Sequence, residues 1–368
     1  MNRVWEPAES APERDRVGVT SDKRVGHDVA LVRRRAPDAL VTGATGFIGI
    51  HLVKRLLAEG VGVRALVRPN SVRAGRLHGL GVEIIEGDLC DAKGLAQAAR
   101  GMRMIFHAGS EMGTDWTRQQ RVTVESTQHL LEEAAENRVE RFIHFSSLAV
   151  FDVLGAPGDA AITEECPQRG DPQRSGAYNW AKVQTEKLVG ESARSRDLRA
   201  TIVRPGVVIG PLGRLFFPQL GYRLDARVFI LIGRGDNVLP LVYVDNVVDA
   251  IWKASQSDSA VGATYNIVDD GEVTVKEYIS EFIRITGTDA RVVHTPYALP
   301  YLLTAAYEAA AGLRLVEKGR TSRAQLRWKQ AAVRYDNSKT KRDLGWHSEV
   351  EINEGLRRTF EWHRERLS

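Results

Sequence analysis

Three closely spaced glycines near the start of the chain constrain its fold more than any other feature. Gly43, Gly46 and Gly49 stand between the apolar residues 39–41 and a stretch in which apolar residues recur at helical spacing. In such a strand–turn–helix unit the first glycine permits a tight exit from the strand, the second allows a pyrophosphate to approach, and the third lets the helix lie close to the sheet. The helix N-terminus then offers free N–H groups to the phosphates. The turn therefore predicts a nucleotide-binding unit.

Apolar runs and helical stretches alternate through the first half of the chain. Strand-like runs lie near residues 63, 82, 104, 142 and 202, separated by helical stretches over 91–100, 119–137 and 178–189. This alternation predicts an α/β fold, a Rossmann-type doubly wound parallel sheet with helices on both faces. After Pro205 the elements become shorter, and helices are expected at 274–286 and 351–362.

Two further features indicate chemistry at this sheet. Tyr178 and Lys182 lie four residues apart on one face of a predicted helix, where an ammonium favours the phenolate and makes the tyrosine a better acid/base. Ser146 and Ser147 end a predicted strand and would emerge at the carboxyl edge of the sheet, where ligands bind. Alone, the Tyr/Lys pair also fits an ordinary exposed pair, and either serine also fits a helix cap or a turn.

In their order along the chain these motifs resemble the extended short-chain dehydrogenase/reductase superfamily, including its epimerase/dehydratase and 3β-hydroxysteroid dehydrogenase-like members. The resemblance covers residues 37 to 365 and implies a Rossmann-type domain for NAD or NADP, a smaller C-terminal lobe over the substrate, and hydride transfer at an alcohol or ketone carbon. The matching segments are 42–49, 87–89, 106–108, 146–147, 178–182, 204–206, 243–247, 336–339 and 344–346.

The resemblance also assigns roles to individual residues. Tyr178 matches the catalytic acid/base, Lys182 the residue that tunes it and holds the nicotinamide ribose, and Ser147, preferred to Ser146, the hydroxyl that orients the substrate oxygen. Asp88 matches the side chain that reaches the adenine, and Pro205 the residue that leads the strand past the nicotinamide carboxamide. The implied cofactor-binding set, besides Arg68 below, is Gly43, Thr45, Gly46, Phe47, Ile48, Gly49, Asp88, Leu89, His107, Ala108, Tyr178, Lys182 and Pro205.

The chain departs from the family pattern at three places. Thr123 stands where the family has an asparagine that kinks its helix and anchors a proton-relay water, and Ser126 stands for a glycine, so the relay is in question. Residues 109–110, Gly-Ser, replace an Ala-Ala pair. Residues 151–152, Phe-Asp, replace Tyr-Gly and alter one wall of the substrate pocket.

The end of the second strand bears on the choice between NADP and NAD. Residues 63–68 contain no acid to accept hydrogen bonds from the ribose hydroxyls of NAD. Arg68 is instead suited to a 2′-phosphate, with Arg73 as a second cation in the following loop. NADP is therefore the preferred cofactor and NAD the alternative, because Arg68 also fits a solvated loop cation.

Composition and segment properties complete the expected organisation. We expect a mobile N-terminal arm at 1–36, the dinucleotide-binding domain at 37–205, and a substrate lobe at 206–368 interleaved with the last Rossmann elements. Two cysteines predict neither disulfides nor a metal site, and a net charge of +4 does not suggest nucleic acid. Without an apolar run of membrane-spanning length or a signal peptide, we expect a cytoplasmic protein, and the resemblance suggests a homodimer.

Two C-terminal segments leave alternatives open. The apolar stretch 298–315 is expected to be buried in the second lobe, but it also fits a lid over an apolar substrate or a membrane contact. The basic stretch 314–342 fits a solvated face, or a site for a pyrophosphate or carboxylate.

Three functional classes follow. The first is a reductase or dehydrogenase acting on a ketone or secondary alcohol, favoured by Arg68 and the apolar stretch 298–315. The second is a sugar-nucleotide epimerase or dehydratase with a tightly bound cofactor, favoured by the basic stretch. The third is a nucleotide-binding protein without turnover, which the complete set Ser147, Tyr178 and Lys182 argues against.

Overall fold

A computed structural model describes residues 36–154, 161–169, 176–223, 228–313, 323, 326–327, 331 and 333–367. Their first half alternates strands and helices as the sequence predicts. The elements are β1 (Ala39–Thr42), α1 (Phe47–Ala58), β2 (Val63–Val67), β3 (Glu83–Glu86), α2 (Ala92–Ala99), β4 (Met104–His107), α3 (Ser126–Glu136), β5 (Arg141–Phe145), α4 (Ala177–Ser195) and β6 (Ala200–Pro205).

The second half contains shorter strands and, among the described residues, five more α-helices of at least 7 residues. The elements are β7 (Val207–Ile209), β8 (Tyr222–Arg223), β9 (Val228–Ile232), β10 (Val238–Leu239), β11 (Leu241–Tyr243), α5 (Val244–Gln256), β12 (Thr264–Ile267), β13 (Val273–Thr274), α6 (Val275–Thr286), β14 (Arg291–Thr295), α7 (Ala298–Gly312), α8 (Ser338–Leu344) and α9 (Ile352–Leu367).

The central sheet has seven parallel strands in the order β12-β6-β5-β4-β1-β2-β3. β1, β4 and β6 are buried along their whole length, and β5 is buried after its first residue, as expected for parallel strands covered by helices on both faces. The strand order reverses between β1 and β4, and this is where doubly wound sheets bind their ligands. The α/β, Rossmann-type prediction is confirmed.

The C-terminal half is joined to this sheet rather than separate from it. β12 pairs with β6 and adds the last strand, and β11 pairs with β7 directly after the Pro205–Gly206 turn. One apolar core runs from the sheet into α6 and α9, where aromatic rings of Tyr278, Phe282 and Phe360 pack edge to face. Sheet and C-terminal helices therefore share one continuous interior.

Helix ends in the second half follow local sequence signals. The side chain of Thr274 caps α6 and Glu277 reaches back to the Thr274 amide, which makes a capping box, and Gly287 ends the helix in the left-handed conformation. The helices expected at 274–286 and 351–362 are confirmed as α6 and α9, with α9 continuing to Leu367.

Two expectations had different outcomes. The predicted N-terminal arm, apart from Ala36, lies outside the described residues. The expectation that the apolar segment 298–315 is buried is wrong for its described part, because leucines of α7 face solvent. Among the described residues no helix is both long and apolar enough to cross a bilayer.

Candidate active site

The glycine turn between β1 and α1 is shaped by backbone contacts that leave no room for side chains. Gly43 has φ +70°, and a Cβ on it would lie 2.9 Å from the backbone of Ala108 and Gly109. A Cβ on Gly49 would lie 2.1 Å from the Gly43 carbonyl oxygen, so α1 lies directly on the turn. Gly46 begins the helix without any side-chain cap. This cradle fits the pyrophosphate of a dinucleotide, and the partly exposed residues 45–48 border it.

Arginines border the turn beyond the end of β2. Arg68 is exposed immediately after the strand, and Arg73 is exposed in the following loop. A third arginine, which the sequence did not indicate, folds back onto the turn: the Arg76 guanidinium donates a hydrogen bond to the Thr45 carbonyl oxygen at 3.3 Å. Only the path of the loop shows which of its arginines contacts the glycine turn.

The ends of β3 and β4 complete this edge of the sheet. The Asp88 carboxylate accepts a hydrogen bond from the Cys90 amide at 2.9 Å, which fixes the loop after β3. Leu89 and Ala108 lie beside the turn, since a Cβ on Gly109 would meet Leu89 at 2.8 Å and one on Gly43 would meet Ala108. A Cβ on Gly109 would also lie 3.1 Å from the Thr42 hydroxyl oxygen.

His107 also ends β4, but its imidazole is directed into the core. Its Nδ1 hydrogen-bonds the Thr42 hydroxyl at 2.8 Å and its Nε2 the Thr127 hydroxyl at 2.9 Å. Burial, with a contribution from the Lys182 ammonium, lowers the pKa of His107 to about 3, so the ring is neutral. Burial likewise lowers the pKa of the neighbouring His144. The structure thus leaves only the main chain of His107 facing the cofactor edge.

Ser147, Tyr178 and Lys182 come together where β5 ends and α4 begins. The Ser147 hydroxyl lies beside the Tyr178 phenol, close enough to lower its pKa. The Lys182 ammonium donates a hydrogen bond to the Phe145 carbonyl oxygen at 2.7 Å and lies 5.9 Å from the centre of the Tyr178 ring. Ser147 also caps the short helix 148–150 by accepting from the Ala149 amide, so a capping role and a site role coexist.

The electrostatics of this cluster differ from the sequence expectation. Burial raises the pKa of Tyr178, and the neighbouring Ser147 hydroxyl opposes that rise. The lowering by Lys182 that the sequence predicted is not among the causes of this shift, and the Lys182 ammonium donates instead to the Phe145 carbonyl oxygen. Burial lowers the pKa of Lys182 to about 8, against the opposing attraction of Glu186.

A buried ion pair supports the cluster from behind and was missed from the sequence. Glu186, one turn after Lys182, forms a two-pronged ion pair with Arg204 of β6, at 2.9 and 2.7 Å. The Ser146 hydroxyl donates to the same carboxylate. Arg204 also donates to the Glu164 carbonyl oxygen and lies 4.7 Å from the centre of the Phe151 ring. The i,i+4 spacing of Lys182 and Glu186 was the available signal.

The segment directly before α3 contains the position at which the family has an asparagine. Residues 119–125 form a π-helical turn, and Thr123 is buried within it. The Thr123 hydroxyl donates to the Gln119 side chain at 2.9 Å and accepts from the Glu111 amide at 3.0 Å. The Gln119 amide group in turn donates to the carbonyl oxygens of Glu111 and Gly113. Thr123 and Gln119 together therefore hold the loop after β4 in place.

The region around Phe151, next to the Glu186–Arg204 ion pair, is mainly apolar. Phe151 is fully buried and packs against Tyr335, with ring centres 6.1 Å apart. A cavity next to Tyr335 has no charged side chain in its lining, which consists of Val153, Gln219, Asn237, Val238, Leu239, Pro240, Ala331, Val333 and Tyr335. A Cβ on Gly206 would lie 2.2 Å from the Pro240 carbonyl oxygen, so the buried Pro205 and its turn adjoin this cavity.

Several described cations of the basic stretch 314–342 are paired with acids. These pairs are Arg323 with Glu308, Arg334 with Glu272, Lys339 with Glu165, Lys341 with Asp270, and Arg342 with Asp343. Within the part of the chain that the structure describes, no group of histidine, cysteine and acidic side chains is arranged to hold a metal ion.

The sequence of the chain is similar to those of known reductases and dehydrogenases. Over 367 aligned residues the chain is 25% identical to a 2-alkyl-3-oxoalkanoate reductase of Shewanella oneidensis, covering 91% of this chain and 92% of that protein. It is 27% identical to a human decarboxylating sterol-4-alpha-carboxylate 3-dehydrogenase, covering 79% of each.

A solved structure shares the fold. The UDP-glucuronic acid 4-epimerase of Bacillus cereus, in complex with NAD, superposes with a TM-score of 0.68 at 20% identity, covering 89% of this chain and 99% of that one. The model of the NAD dependent epimerase/dehydratase family matches residues 39–268, more than half of the chain. With its Rossmann-type sheet and glycine turn, the chain belongs to this family of extended short-chain dehydrogenases/reductases.

Proposed function

We propose that the protein is an NAD(P)-dependent oxidoreductase that transfers a hydride at a secondary alcohol or ketone carbon, with Tyr178 as the acid/base. The placement of Ser147 next to Tyr178, beside the buried Lys182, is the observation that carries this proposal. The names of relatives as a reductase and a dehydrogenase also favour it.

The roles of the three side chains follow from their contacts. A bound nicotinamide nucleotide supplies or accepts the hydride. Tyr178 is protonated at neutral pH, since burial raises its pKa further above neutrality, so its phenol donates a proton to the substrate oxygen during reduction. The Ser147 hydroxyl hydrogen-bonds the same substrate oxygen and orients it. Lys182, which is cationic below about pH 8, holds the nicotinamide ribose. During oxidation the proton moves in the opposite direction, from the alcohol to a deprotonated Tyr178.

We assign cofactor binding to the edge of the sheet between β1 and β4. The glycine turn with residues 45–48 holds the pyrophosphate, Asp88 and Leu89 the adenine side, and the ends of β4 and β6 the nicotinamide side. Arg68 supports NADP over NAD, and Arg76 adds a second cation next to the turn. NAD remains the alternative.

The substrate is expected to carry an apolar group near the reacting carbon. The lining of the cavity beside Tyr335 is uncharged, and the segment 206–368 is the lobe that we assign to substrate binding. We further propose that the protein is a homodimer and lies in the cytoplasm. Sedimentation of the purified protein tests the first point, and cell fractionation tests the second.

A sugar-nucleotide epimerase or dehydratase is the second candidate. The match to the NAD dependent epimerase/dehydratase family favours this candidate, because the family includes NAD-dependent enzymes of this kind. The ion pairs within the basic stretch weaken it, because cations already paired with Glu308, Glu272 or Asp270 are less suited to a pyrophosphate.

The amount of nucleotide consumed per product formed distinguishes the oxidoreductase from the epimerase. Purified protein is incubated with NADPH or NADH and ketones of increasing alkyl length, and separately with UDP-glucose, while nucleotide absorbance and products are followed. We expect one NADPH consumed per ketone reduced. NAD that copurifies, together with conversion of the nucleotide sugar without net nucleotide consumption, would establish the epimerase instead. Nucleotide binding without either turnover would indicate a binding protein.

A further inference from the structure

His51 joins the helix of the glycine turn to the second half of the chain through two hydrogen-bond acceptors. Its Nε2 lies 3.1 Å from the Pro211 carbonyl oxygen, and its Nδ1 lies 3.3 Å from the Asp245 carboxylate. A carbonyl and a carboxylate only accept, whereas a neutral imidazole has one N–H and the imidazolium has two. Both contacts are therefore hydrogen bonds only when His51 is protonated. The neutral ring can donate to Pro211, but it then turns the lone pair of Nδ1 toward the carboxylate.

The carbonyl that His51 contacts belongs to a loop that packs beside the glycine turn. We call residues 210–214, which follow β7, the β7 loop. A Cβ on Gly213 would lie 2.8 Å from the ring of Phe47, the first residue of α1, and a Cβ on Gly210 would lie 3.4 Å from it. The Phe47 ring also meets the His51 ring edge to face, with centres 5.7 Å apart. His51, Phe47 and the β7 loop are therefore in mutual contact next to the turn.

The conformation of the β7 loop depends on contacts from outside it. Leu212 has φ +71°, a left-handed conformation that costs a leucine free energy. The Gly213 amide donates to the Gly210 carbonyl oxygen at 3.0 Å, which closes a turn around Leu212. The Nε2 of His363, on α9, hydrogen-bonds the Gly213 carbonyl oxygen at 3.0 Å. Histidines from two helices thus contact the carbonyl groups on either side of the strained leucine.

Asp245 is the acid that contacts His51, and its charge makes this contact sensitive to pH. Among the neighbouring ions, Arg55 already donates to Glu59 and Asp249. The other charged or titratable groups on the surrounding elements include Lys54 of α1, Tyr243 before α5, Glu354, Arg358 and His363 of α9, and Arg214 of the β7 loop. Protonation of His51 therefore adds a charge-assisted hydrogen bond to Asp245.

We propose that His51 is a positioning residue for nucleotide binding, and that its imidazolium holds the β7 loop on Phe47 beside the glycine turn. This role rests on the proposed function, in which the glycine turn binds the pyrophosphate. Protonation and nucleotide binding then favour the same state of the loop, so each strengthens the other. Imidazoles titrate between about pH 5 and 8, so nucleotide affinity should rise as the pH falls through that range. At pH 5.5 and 7.0 Lys182, whose pKa is about 8, keeps most of its charge.

The test measures the Kd for NADH by fluorescence titration at about pH 5.5 and 7.0. NADH is used because it lacks a 2′-phosphate, which titrates in the same range. Wild type should bind about threefold more tightly at the lower pH, the scale of an ion pair with a half-exposed carboxylate. In His51→Gln the amide N–H groups replace both donors without titrating, so the ratio of the two Kd values should be near one. His294→Gln alters an exposed histidine that contacts the Gly233 carbonyl oxygen, and this matched control should keep the wild-type ratio.

A second variant covers the case in which His51→Gln does not fold. Asp245→Asn changes an exposed carboxylate to an amide of the same shape and should also bring the ratio near one. A wild-type ratio retained in both variants would overturn the proposal, because a merely structural role of His51 changes the Kd equally at both pH values. That result would leave the assignment of nucleotide binding intact. A wild type that binds no dinucleotide at either pH would overturn this role together with the proposed function.

Discussion

At the residue scale, Tyr178 carries the proposed chemistry, and its removal should affect turnover more than binding. We expect Tyr178→Phe to lower kcat by a factor on the order of a hundred or more, because the phenol transfers the proton, while the Kd for NADPH from a fluorescence titration changes little. Tyr307→Phe, at an exposed site, is the control. Turnover near that of wild type would exclude Tyr178 as the acid/base.

The raised pKa of Tyr178 also predicts a pH dependence. The deprotonated phenol accepts a proton during alcohol oxidation, so the oxidation rate should rise with pH through neutrality. The Ser147 hydroxyl lowers the pKa of Tyr178, and Ser147→Ala should therefore move this rise to higher pH. Above about pH 8 the loss of the Lys182 charge should weaken nucleotide binding. An oxidation rate that falls between pH 6 and 8 would contradict these assignments.

Cofactor preference depends on Arg68. If its guanidinium binds a 2′-phosphate, Arg68→Ala should weaken NADPH binding by roughly 1.5 to 3 kcal/mol and leave NADH binding nearly unchanged. Because Arg68 is exposed, the preference should decrease as salt rises. Arg234→Ala, at another exposed arginine, controls for net charge. Equal losses for both nucleotides would instead place Arg68 against the adenine.

At the scale of elements, the Glu186–Arg204 ion pair joins α4 to β6 behind the active site. Both side chains are buried, so Glu186→Gln leaves Arg204 with an incompletely paired charge and should lower the free energy of unfolding by about 3 to 5 kcal/mol. It also removes an attraction that raises the pKa of Lys182. The pH above which nucleotide binding weakens should therefore decrease.

Glu191→Gln provides the matched control for that experiment, because Glu191 lies on the same helix and is exposed. Denaturant unfolding reports the stability change, and nucleotide titrations over pH report Lys182. A Glu186→Gln protein with the unfolding free energy and pH profile of wild type would show that the pair neither stabilises the fold nor influences Lys182.

At the scale of the whole molecule, a shared core joins the sheet to the C-terminal helices. Phe360 of α9 is fully buried against Tyr278 and Phe282, and Phe360→Ala should lower the free energy of unfolding by about 3 to 5 kcal/mol. Since the core is continuous, we expect thermal unfolding to show one cooperative transition, and Phe360→Ala should move that whole transition to lower temperature. Leu302→Ala, at an exposed leucine, should change stability by less than about 0.5 kcal/mol. Two separate transitions would contradict a shared core.

Local pattern was sufficient for the fold and for the position of most candidate residues. Apolar periodicity determined the strands and helices, and the glycine spacing identified the turn, because both depend on neighbours within a few residues. The family motifs then placed Ser147, Tyr178 and Lys182, and the structure brings these three together. The assigned roles themselves remain predictions.

Only the tertiary structure decided how distant residues surround those positions. The burial of Glu186 against Arg204, the return of Arg76 to the glycine turn and the inward direction of His107 all depend on contacts between segments far apart in sequence. Burial also reversed the expected pKa shift of Tyr178. The apolar residues of α7 show the same limit. Periodicity identified a helix with an apolar face, but whether that face meets the core or solvent is a property of long-range packing, which local sequence does not determine.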